Sequence, residues 1–194
     1  MSYSGRRLRA DPFTDLLFNI LLAFTLLMFL AIIFMNPIPK TGIINPKAEY
    51  IITVGWEDNN PDDIDTYVQS PTGDIVWFRG KEAGFVHLDR DDRGLLNDTI
   101  VISGEKVQNP LNQEVVTLRA VVPGEYIVNI HYYATETNNP VDVNVKVEKV
   151  NPQLEVIYYG TITLEKKGVE KTATRFNIKQ GGQVTVTGNL FKKL

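Results

Sequence analysis

The hydrophobic pattern divides this chain into two unlike parts. From Leu16 to Met35 runs a stretch of twenty uncharged residues, mostly Leu, Ile, Phe, Met and Ala, with Asn19 and Thr25 as its polar interruptions. A helix of that length measures roughly 30 Å, the hydrocarbon thickness of a bilayer, so the run predicts one membrane-spanning helix over residues 12–35. Asp11 suits its N-cap and Pro12 its first turn, where a missing N–H costs nothing. Asn36-Pro37 and Pro39 stop it. From Glu49 onward the pattern changes to short runs rich in Val, Ile, Thr and Tyr. Strands are predicted at 50–56, 66–70, 74–80, 98–104, 114–122, 124–134, 141–150, 154–166, 171–179 and 183–190, with period-two alternation clearest in VDVNVKVEKV and QVTVTG. Pro71-Thr72-Gly73, Pro123-Gly124, Asn138-Asn139-Pro140, Lys167-Gly168 and Gly181-Gly182 supply the turns between them.

The predicted fold is a single transmembrane α-helix followed by an all-β sandwich, jelly-roll or immunoglobulin-like. Residues 1–11 form a basic cytoplasmic tail, 12–35 the helix, 36–48 a proline-containing linker and 49–194 the sandwich, which at about 145 residues is long enough for a two-sheet core. The apolar run is longer than the core of a signal peptide and ends in IIFMNPIPK, with no small-residue cleavage site, which favours a retained anchor. Arg6, Arg7 and Arg9 precede the helix, against Lys40 and Lys47 just after it. The excess of positive charge keeps the N-terminus in the cytoplasm and sends the sandwich outside.

Charge and composition narrow the chemistry. The first 15 residues hold three Arg and two Asp, leaving 17 basic and 21 acidic residues beyond them, a mildly acidic balance that argues against nucleic acid as partner. With no cysteine there is neither a disulfide framework nor a thiolate metal site. His87 and His131 are the only histidines, and no G-x-S-x-G, H-E-x-x-H or phosphate-binding loop occurs, so no enzymatic activity is expected. Trp56, Trp77, Phe78 and Phe85 suit either a carbohydrate-stacking surface or, more commonly, sandwich core.

Two groups of residues carry candidate chemistry. An ionisable residue within a membrane helix costs a few kcal/mol and usually faces a partner protein or a wet path, which singles out Asp15. At about 100° per residue Asn19 lies about 40° from Asp15, and Leu22 and Leu26 about 20° to either side, so the acid and the amide share one face. A carboxylate alternately shielded and opened to water takes up a proton in one state and releases it in the other. The second group is acidic: Asp58, Asp62, Asp63 and Asp65 precede one strand, and Asp89, Asp91 and Asp92 fall in a later loop. Asp63, Asp65, Asp89 and Asp91 are the candidate calcium ligands, since oxygen donors on irregular backbone suit that ion; the same residues also serve as ordinary turn formers, and the EF-hand spacing is absent.

The run Pro12-Phe13-Thr14-Asp15-Leu16-Leu17, with basic residues before it and a Leu/Phe/Ile-rich span after it, resembles the MotB/ExbD/TolR class of ion-driven motor subunits. The resemblance implies that Asp15 carries the transported ion, a proton or sodium. It also implies that two copies of the helix stand within a pentameric MotA/ExbB/TolQ-like partner in a bacterial inner membrane, as a homodimer needing no cofactor. In the second part, Asp63-Ile64-Asp65, Pro71-Thr72-Gly73, Leu88-Asp89-Arg90-Asp91 and Pro123-Gly124-Glu125-Tyr126 occur in the order that resembles the YfaP-like extracytoplasmic β-sandwiches. That likeness implies a periplasmic sandwich with an unknown envelope target and no enzymatic role. The peptidoglycan-binding α/β module of MotB has no counterpart in the pattern. The alternative expectation is a signal-anchored binding or adaptor module in which the helix is a tether and carries no ion.

Overall fold

A computed structural model describes residues 11–35, 48–94 and 99–194. Residues 1–10 of the predicted tail, 1–11, and residues 36–47 of the predicted linker, 36–48, lie outside these. The chain forms two separate units, the helix with its flanks and the β-rich remainder.

Helix α1 spans Pro12–Met35. Asp11 caps it as expected: its side-chain oxygens accept the Phe13 N–H at 3.1 Å and the Thr14 hydroxyl at 3.0 Å, and its carbonyl accepts the Asp15 N–H at 3.0 Å. Thr25 satisfies its hydroxyl on the carbonyls of Leu21 and Leu22 and so adds no unpaired donor to an apolar helix. The side chains from Asp11 to Ile32 are exposed apart from half-buried Thr25. The helix is long and apolar enough to cross a membrane. Left in water, that surface would lose the free energy that burial of apolar area provides.

The second unit is a β-sandwich. One sheet of six strands runs in the order β11 (Glu155–Leu164), β10 (Val141–Lys149), β1 (Tyr50–Gly55), β8 (Gln113–Leu118), β5 (Val86–Arg90), β4 (Glu82–Ala83). The other, of five, runs β13 (Val184–Gly188), β12 (Glu170–Ile178), β9 (Gly124–Ala134), β2 (Asp63–Gln69), β3 (Ile75–Val76). A separate hairpin joins β6 (Thr99–Ile102) to β7 (Glu105–Gln108), and all pairings are antiparallel. The alternation read from VDVNVKVEKV is realised in β10, where Val141, Val143, Val145 and Val147 are buried; Val145 pairs with Val54 and Val147 with Ile52. Against them pack Ile64, Val68, Val128, Ile130, Phe176 and Ile178 of the other sheet, forming one core.

Three differences from the predicted strands have local causes. The segment 74–80 pairs over Ile75–Val76 alone, because Trp77 and Gly80 exchange backbone hydrogen bonds at 3.1 and 3.0 Å and close a tight turn. Strand β5, with its His and Asp, reads as loop in sequence but is held between β4 and β8. Strand β7 is exposed throughout and has no apolar face to signal it. The motif glycine Gly124 sits at φ 136° with Pro71 packed where a Cβ would be, so the Pro71-Thr72-Gly73 and Pro123-Gly124 turns meet. Tyr126 then folds its hydroxyl back onto the Val122 carbonyl at 3.0 Å, the tyrosine-corner device of Greek-key sandwiches.

Candidate functional site

Asp15 lies in the first turns of α1 without serving as its cap, since Asp11 performs that task. Among the described residues its carboxylate has no hydrogen-bond or ion-pair partner, and neither has the Asn19 amide one turn on. The face predicted from helical spacing is therefore open for an outside group.

The acidic residues singled out in the sandwich occupy different environments, Asp92 being held by Arg90 at 2.7 Å and the Gln113 N–H at 3.0 Å, and three others matter here. Asp62 is a structural tie. Its side chain accepts hydrogen bonds from the backbone of Glu136 at 2.7 Å and Thr137 at 3.1 Å, from the Thr135 hydroxyl at 3.0 Å, and from the hydroxyls of Tyr132 and Thr137. Burial by itself would raise its pKa, but these donors outweigh it and hold the carboxyl down at about 2. Asp89 is the extra residue of a bulge: Leu88 pairs with Val116 and Arg90 with Val115, leaving Asp89 between them. Its oxygens take the Thr117 hydroxyl at 2.6 Å and Arg119 at 2.8 Å.

The third environment is a buried carboxylate cluster. Asp65 on β2, Asp91 just after β5 and Glu114 on β8 each bring a carboxylate oxygen within 4.8 Å of the others. Asp65 is 3% exposed and Glu114 1%. Glu114 spans the two sheets, one oxygen accepting the Thr66 N–H at 2.7 Å. Its other oxygen has no hydrogen-bond donor, and the same is true of one buried oxygen each on Asp63, Asp65 and Asp91. Two basic side chains reach the rim: Lys81 Nζ lies 2.8 Å from the second oxygen of Asp91, and His131 Nδ1 stands 3.8 Å from Asp65, beyond hydrogen-bond range. Burial, with Thr66 opposing it and Asp65 and Asp91 adding repulsion, pushes the Glu114 carboxyl well above its ordinary range. Burial likewise raises Asp65 against the pull of His131, and burial with the charge of Asp65 pushes Asp63 up to about 7 despite Arg93.

Of the four aspartates predicted as calcium ligands, the structure thus brings Asp65 and Asp91 together, sets Asp63 beside them and turns Asp89 away. In a regular strand Asp89 and Asp91 would share a face; the bulge removes that relation. Glu114 was missed, although it falls in step with Val116 and Leu118, so a charged residue on the inward register of β8 was its signal. Gly94 holds the Asp91 loop down: at φ 66°, a Cβ would stand 2.6 Å from the Pro61 carbonyl oxygen.

The aromatic residues divide. Trp56 is core, its indole N–H donating to the Asp62 carbonyl at 3.1 Å, whereas Phe85 is 52% exposed. Trp77 and Phe78 are half-buried and join Tyr67, His131 and Tyr133 in one cluster, with Arg79 5.2 Å from the Phe78 ring centre. His131 stacks on Tyr67 with ring centres 5.7 Å apart, so of the packed and surface positions open to an imidazole in that strand it takes the packed one.

These features define a class: a single apolar helix bearing one uncommitted acid, and a β-sandwich enclosing a carboxylate cluster. No protein-family model, curated protein or solved structure matches the chain.

Proposed function

We propose that this chain is the B-type subunit of an ion-driven rotary motor of the MotAB/ExbBD/TolQR kind, in which Asp15 carries a proton or sodium ion and the sandwich delivers the resulting motion to an envelope target. The observation that carries the reading is the acid at position 15: the helix is already capped by Asp11, so Asp15 is not needed to end it, and a plain tether has no use for a second carboxylate within its helix. One helix cannot enclose a path for ions. The missing walls are those of a pentameric MotA/ExbB/TolQ-like partner, with two copies of this chain at its centre and the sandwiches on the periplasmic side of a bacterial inner membrane.

The force on the bound ion is adequate to the task. A charge crossing the full membrane gains about 2.3 kcal/mol per 100 mV, and each step of the motor needs only that the partner alternately cover and uncover the Asp15 carboxylate. Purification from native membranes in mild detergent, followed by mass spectrometry, tests the assembly. A polytopic partner in stoichiometric excess over this chain is expected. Recovery of the chain alone, or with soluble envelope proteins, supports instead the anchored adaptor, which the half-buried aromatic cluster around Trp77 and Tyr133 would serve as a contact surface.

A further inference from the structure

We propose that Asp65, Asp91 and Glu114 bind one divalent cation of the calcium class, which ties β2 of one sheet to β8 and the loop after β5 of the other. Three carboxylate oxygens within 4.8 Å of one another can approach a common centre at about the 2.3–2.6 Å that calcium prefers, with small side-chain movements. The second observation is Glu114 itself. It is buried, one of its oxygens is engaged by Thr66 N–H, and the other meets no donor inside the protein. A buried carboxylate oxygen left unpaired costs several kcal/mol, and here one oxygen on each of the three residues is in that condition. A cation answers all three at once.

The neighbours shape the choice of ion. Lys81 engages the outer oxygen of Asp91 and leaves the inner one. An all-oxygen set of three carboxylates, without cysteine and with His131 turned to Tyr67, does not suit zinc or other thiolate- and imidazole-seeking metals. Magnesium demands a tighter octahedron and gives up its waters reluctantly, whereas calcium accepts irregular sets completed by water. The site is independent of ion transport through Asp15. It would clamp the sandwich, because its ligands come from both sheets and the loop that Gly94 docks.

The test uses the full-length protein in detergent, stripped with EGTA and titrated with calcium chloride while binding heat and thermal midpoint are recorded. One calcium per chain is expected, with an affinity of about 0.1–1 mM or tighter, as in extracellular calcium modules, and an upward shift of the midpoint. Asp91→Asn, on the partly exposed loop, and Glu114→Gln should each weaken binding at least tenfold. Both should melt in EGTA near the wild-type midpoint, because Gln keeps an oxygen for the Thr66 N–H and the Lys81–Asp91 pair that Asn weakens is half exposed on the lysine side and worth little. Asp89→Asn should bind as the wild type does, and so should Asp15→Asn, which separates this site from the motor reading. The proposal is overturned by any of three results: no saturable binding at about 10 mM calcium, well above the range of such modules; Asp91→Asn or folded Glu114→Gln retaining wild-type affinity; or weakened binding accompanied by a clear loss of stability in EGTA, which would mark a packing defect.

Discussion

Asp62 and Asp65 stand three residues apart and meet opposite conditions. Asp62 is surrounded by donors, so its ionised form is favoured in the fold; Asp65 is buried with one oxygen unpaired and Asp91 nearby, which together outweigh the pull of His131 and disfavour its charge. For Asp62 the folded carboxyl, at about 2, binds protons less tightly than the ordinary value of 3.8. Its contribution of about 2 kcal/mol is therefore complete above about pH 4 and lost as pH falls toward 2. Asp62→Asn is expected to lower stability by about that amount at pH 7 and to flatten the acid limb between pH 4 and 2, read by circular dichroism melts across that range. The sequence shows both residues as members of one acidic run. What it conceals is the partner set: Thr135, Glu136 and Thr137 reach Asp62 from more than 70 positions away, and no local pattern announces such contacts.

At the scale of elements, helix and strands differ in how openly they declare themselves. The bounds of α1 follow from a long uncharged, mostly apolar run, a capping Asp and a terminal Asn-Pro, all local signals. Strands β1, β9, β10 and β12 follow nearly as well, from alternation and flanking turns. Strand β5 does not, because its place is conferred by pairing with β8, and its bulge at Asp89 is a tertiary feature that decides which aspartate turns inward. The cluster at Asp65, Asp91 and Glu114 is only half legible: the pairs Asp63/Asp65 and Asp89/Asp91 are visible, but not which member of each turns inward, and the inward register of Glu114 on β8 does not announce the two aspartates it meets. Within α1, the two acids are separable by experiment. Asp11→Ala should cost about 1 kcal/mol at the helix end and, under the proposed function, leave ion flux in place; equal loss of flux from Asp11→Ala and Asp15→Asn would contradict the role proposed for Asp15.

For the whole molecule, helix and sandwich form distinct compact units, so the sandwich should fold without its anchor. A fragment covering 48–194 is expected to unfold in a single cooperative transition in urea, with coincident loss of its β signal and of tryptophan fluorescence; a gradual, non-cooperative change would contradict the boundary. The sandwich core draws on both sheets, and a cation held between β2 and β8 would add a further tie between them. The most direct test of the proposed function is ion flux in sealed vesicles containing this chain and whatever polytopic protein copurifies with it, measured for the wild type and for Asp15→Asn with assembly checked in parallel. The account predicts voltage-driven proton or sodium flux that disappears in Asp15→Asn although the complex remains intact; undiminished flux in the variant would contradict it.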